Sequence, residues 1–72
     1  MRDLVDGIGR RWDVAVGRES WGTQVLLFAC RDAPETRSVV LAAETPMAAE
    51  RVLDALSDEE LRARLAEARV ME

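Results

Sequence analysis

Val25-Leu26-Leu27-Phe28-Ala29-Cys30 runs apolar without a break between Gln24 and Arg31. A strand with one wet face alternates apolar and polar residues, whereas a strand covered on both faces is continuously apolar. Val39-Val40-Leu41-Ala42-Ala43 is a second run of the same kind. A chain of 72 residues is too short to cover both faces of its own sheet. The expectation is a sheet with one face left for another surface to cover.

Upstream of this stretch the pattern changes. Arg11 to Val16 alternates cleanly, with Trp12, Val14 and Val16 on one face and Arg11, Asp13 and Ala15 on the other. That is the signature of a half-buried strand. Asp6-Gly7-Ile8-Gly9 is a turn signal, since glycine reaches positive φ without steric cost. Gly17 to Gly22 and Asp32 to Thr36 are short polar connections. Strands are therefore expected at about residues 2–5, 10–17, 23–31 and 37–43, joined as an antiparallel meander.

Downstream the period becomes helical. Thr45 is an N-cap with Pro46 at the first helical position, and Ala49, Val52, Leu53 and Leu56 make one apolar stripe. Ser57-Asp58-Glu59-Glu60 then restarts the pattern as a capping box, flanked by Leu56 and Leu61 as a hydrophobic staple. One continuous helix would place Leu61 about 140° away from the first stripe. Two helices, at about 46–56 and 58–70, are the better solution. The second turns Leu61, Leu65 and Ala68 inward, with Asp58–Arg62 and Glu60–Arg64 as i,i+4 ion pairs outside. The expected fold is α+β: one domain over residues 1–72, a four-stranded antiparallel meander followed by two short helices packed on one face.

The same lengths limit the shielding. Four strands about 4.8 Å apart form a sheet roughly 15–19 Å wide. Two helices, each about 10 Å thick, cover one face of it and no more. Trp12, Val14, Val16, Leu26, Phe28 and Cys30 are assigned to the helix side. Val25, Leu27 and Ala29 lie opposite, beside Ala15, Arg11 and Asp13.

Composition narrows the chemistry. Apolar residues make up 49% and charged residues 33%, which describes a folded chain. There is no histidine, and the single cysteine, Cys30, allows no internal disulfide. A zinc site would need carboxylates and one thiol, a poor donor set, so no metal and no cofactor are expected. Cys30 lacks a base and sits in an apolar strand, which fits a core residue rather than a nucleophile. Asp58-Glu59-Glu60 is explained by helix capping and Gly7-Ile8-Gly9 by a turn, without a phosphate loop. The expectation is not an enzyme, with no catalytic residues.

Charge bears on partners. The net charge of −4 opposes nucleic-acid binding, which needs a surplus of positive charge. Arg10, Arg11 and Arg37 with Trp12 are the nearest approach to a basic-aromatic patch, and a nucleic-acid-associated accessory protein is the alternative function they would serve. No stretch approaches the roughly 20 apolar residues of a membrane span, and the N-terminus lacks a signal-peptide core. With the lone cysteine, this places the chain in the cytoplasm. All ten basic residues are arginine, which fits a GC-rich bacterial genome.

One segment suggests a partner surface. Arg18-Glu19-Ser20-Trp21-Gly22 sets a loop tryptophan between charges, the composition of an interface hot spot. Its alternative is a lid packed over the sheet. Arg18, Trp21, Val25 and Leu27 form the candidate surface of a small interaction or regulatory module that pairs with itself or with a partner subunit.

Overall fold

The computed structural model describes residues 1–19 and 21–71. Five strands and two helices follow in the order β1 (Arg2–Val5), β2 (Arg11–Arg18), β3 (Gln24–Cys30), β4 (Thr36–Val40), α1 (Pro46–Ala55), α2 (Asp58–Glu67) and β5 (Arg69–Val70). The strands form one antiparallel sheet in sequence order, and both helices pack against it. The architecture is α+β, a meander followed by two helices.

Register fixes which side chains share a face. Trp12 pairs with Cys30, Val14 with Phe28 and Val16 with Leu26, so the alternating residues of β2 meet one parity of β3. Leu4 joins them opposite Trp12, and Val39 joins them opposite Leu26. The helices close on this side, α1 against β2 and β3, α2 against β4 and β1. Trp12, Val14, Leu26, Phe28, Ala49, Leu53 and Leu61 are each at most 1% exposed, with Val16 and Cys30 packed at the margin.

The helix boundary falls where the stripe phase puts it. Thr45 Oγ1 accepts from the Ala48 amide, and Pro46 opens α1. Leu56 leaves the helix with φ −71° and ψ 135°, and the capping box closes in both directions: Glu60 N donates to Ser57 Oγ, and Ser57 N donates to Glu60 Oε1. Arg2 holds this break from β1. Its Nη1 donates to the carbonyls of Leu53 and Leu56, and its Nη2 to Asp58 Oδ1 at 2.9 Å. A cation at the carbonyl end of one helix and beside the first carboxylate of the next satisfies both.

The structure departs from expectation at the C-terminal end and in the ion pairs. α2 stops at Glu67 instead of running to 70, because Ala68 turns extended and Arg69–Val70 becomes a fifth strand. Arg37 pairs with Val70 and Ser38 with Arg69, and the Met71 amide reaches Thr36 O at 2.8 Å. The open backbone of β4 gains partners that one more helical turn would leave unmet. β4 itself ends at Val40, although the Leu41 amide still reaches Gln24 O at 2.9 Å. The Asp58–Arg62 pair gives way to Asp58–Arg2, and Arg62 Nε donates instead to Val5 O at 2.8 Å. Glu60 turns back onto the Ser57 amide.

Candidate functional site: the open sheet face and the tryptophan hairpin

The second face of the sheet carries Asp3, Val5, Arg11, Asp13, Ala15, Gly17, Val25, Leu27, Ala29, Thr36, Ser38 and Val40, as the register dictates. It divides into a charged end and an apolar end. At the charged end Arg31 Nε donates to Asp13 Oδ1 at 3.0 Å, and Arg31 Nη2 reaches Asp13 at 2.6 Å and Asp3 at 3.0 Å. Arg11 pairs with Asp32 at 2.8 Å, and its backbone amide donates to the same carboxylate. The Arg31 guanidinium holds the Asp13 carboxyl below its usual range, and Arg11 draws Asp32 down to about 2.

The apolar end is more sheltered than expected. Val25 is 3% exposed and Leu27 is half-buried, although no helix lies over them. Gly17 is the reason. A Cβ at this position would stand 2.6 Å from Leu27 Cδ1 and 3.4 Å from Val25 Cγ2, so both side chains settle into the space a larger residue would fill. Glycine inside a strand marks such close approach, and that was the signal available in the sequence. What remains open at this end is Val40, 58% exposed on β4, beside the half-buried Leu27 and Ala15, while Val5, 49% exposed, lies at the charged end.

Trp21 is not a lid. It sits at the tip of the β2–β3 hairpin, where Glu19 N donates to Thr23 O and Gly22 takes φ +83°, and it is 94% exposed. Arg18, at the end of β2, is exposed as well. Next to this hairpin an open groove of about 510 Å³ runs along the β4–β5 edge, lined by Glu19 together with Val39, Val40, Val70 and Met71. Trp21 stands at the hairpin end of the sheet, the end where Val25 pairs with Val40, and Glu19 of the same hairpin lines the groove. Val40 and the groove have no signal in the sequence, because β5, which forms the far wall, reads there as the end of a helix.

The four residues of the basic-aromatic alternative do not form one surface. Trp12 is 1% exposed, and its Nε1 donates to Asp6 Oδ2 at 2.8 Å. Arg10 and Arg37 stand 5.1 and 5.3 Å from its ring centroid and share the Glu35 carboxylate. Arg11 lies on the other side of the sheet with Asp32. Cys30 is half-buried with its Sγ 3.4 Å from Arg10 Nη2. Among the described residues no group of three or more His, Cys, Asp or Glu is placed to hold a metal, and no helix is long and apolar enough to cross a membrane.

Fold and surface together define a small α+β chain with one helix-covered and one open sheet face. No protein-family model, no curated protein and no solved structure matches it.

Proposed function

We propose that this chain is a small, non-catalytic interaction module that works by protein–protein association, pairing its open face and tryptophan hairpin with a second copy in the cytoplasm. The carrying observation is Trp21, 94% exposed at the tip of a hairpin. Tryptophan in water is a standing loss of apolar burial, and it is among the residues most enriched at interface hot spots. Val40 and the groove beside Glu19 supply the apolar surface next to it.

Charge favours a second copy over a strongly charged partner. The molecule carries −4 overall, yet its open face sets Asp3, Asp13 and Asp32 against Arg11, Arg31 and, opposite Ser38, Arg69. Two such faces meet without like-charge excess, as a twofold interface requires. Sedimentation equilibrium of the wild type and of a Trp21→Ala/Leu27→Glu variant tests this. Concentration-dependent association that the variant loses supports the reading. A wild type that remains at 8.0 kDa into the high micromolar range removes the second copy as partner.

The nucleic-acid alternative loses the ring it names for base stacking. Base stacking needs an accessible ring, and Trp12 is enclosed between core and arginines.

A further inference from the structure

On the helix side of the sheet, away from the association surface, a second concavity of about 260 Å³ opens between the β1–β2 turn and α2. Three arginines line it from three separate places: Arg10 ahead of β2, Arg37 from β4 and Arg62 from α2. Their acceptors do not balance them. Arg10 Nη2 and Arg37 Nε share the single carboxylate of Glu35. Among the described residues Arg62 meets only the backbone carbonyl of Val5, because Asp58, one turn before it, is engaged by Arg2. Asp6 at the rim is already occupied by the Trp12 indole and the amides of Ile8 and Arg10. Among the described residues, both terminal nitrogens of Arg37 and of Arg62, and Nη1 of Arg10, have no protein acceptor, and Arg10 Nε is buried without one.

Geometry makes this more than a solvated basic patch. Arg10 and Arg37 are held 5.1 and 5.3 Å from the Trp12 ring centroid, and Trp12 is fixed in the core. Two of the three forks are therefore pre-positioned, which reduces the ordering cost of binding. Guanidinium forks match the oxygen spacing of phosphate, and convergence from several elements suits a tetrahedral anion better than a planar one. We infer that this concavity is an oxyanion site that takes phosphate or a compact phosphate monoester, with Arg10, Arg37 and Arg62 as its ligands. The site is independent of the association surface, and either can fail without the other.

The test is a titration of the ¹⁵N-labelled full chain with inorganic phosphate, and separately with glycerol 1-phosphate, against sodium chloride at matched ionic strength. The Gly7 and Ile8 amides and the arginine Nε–H signals report on the site. Saturable shifts with either phosphate, absent with chloride, are expected, and Arg62→Gln should weaken half-saturation at least about tenfold, the loss of one charge-assisted contact. Ala66→Glu sets a carboxylate on the exposed rim without removing a contact and should abolish saturation. Linear, chloride-like shifts, or equal saturation by wild type and both variants, would overturn the assignment.

Discussion

Trp12 is enclosed by the core, and the one polar atom of its ring finds its acceptor on Asp6. The same carboxylate accepts from the amides of Ile8 and Arg10, so a single side chain closes the β1–β2 turn and satisfies a buried donor. Asp6→Ala strands the indole N–H and opens the turn, and should lower the thermal midpoint clearly below that of the wild type in circular dichroism melts. An unchanged midpoint would show that the contact carries no stability. The hydrogen bond from Trp12 also holds the Asp6 carboxyl below its usual value, as Arg31 does for Asp13, Arg11 for Asp32, Arg10 with Arg37 for Glu35, and the Ser57 amide for Glu60. All five folded-state values are depressed, so the stability they contribute is present above the ordinary values of 3.8 and 4.5 and is lost as pH falls below them. Melts at constant ionic strength should therefore be steady above about pH 5 and decline progressively down to about 2, where Asp32 protonates. A midpoint flat across that window would contradict the assigned pairings.

At the scale of elements, the break between α1 and α2 was legible and the end of α2 was not. Ser57 and Glu60 announce a helix start by chemistry that needs no tertiary partner, and the phase shift from Leu56 to Leu61 forbids a single stripe. Ser57→Ala should cost about 1 kcal/mol, a fall of roughly 4–8 °C for a domain of this size. Equal midpoints would argue that the helix start is held by Arg2 alone. β5 carried no comparable signal. Glu67-Ala68-Arg69 is compatible with helix, and only the unpaired edge of β4, a tertiary feature, draws Arg69 and Val70 into the sheet. The strand parities, in contrast, could be read directly, because alternation in β2 fixes its inward face and register passes that choice to β3 and β4. The Asp58–Arg62 ion pair gives way for a related reason: Arg2 and the Val5 carbonyl, distant in sequence, compete for Asp58 and Arg62 and win.

At the scale of the whole molecule, two helices cover one side of a five-stranded sheet and leave the other to its own side chains. The sequence overstated how bare that side is. Gly17 lets Leu27 and Val25 collapse inward, so the apolar surface left in water shifts to Val40, the β4–β5 groove and Trp21. Trp21 could not be assigned to lid or tip from composition alone, because nothing local says whether a hairpin curls over its sheet or projects past it. Its exposure is the observation on which the proposed association rests. The most direct test is sedimentation equilibrium across a concentration series reaching the high micromolar range. The expected result is a mass rising from 8.0 kDa toward twice that value for the wild type, with Trp21→Ala/Leu27→Glu held at the lower mass. A wild type that stays at 8.0 kDa throughout, or a double variant that associates equally well, would contradict it.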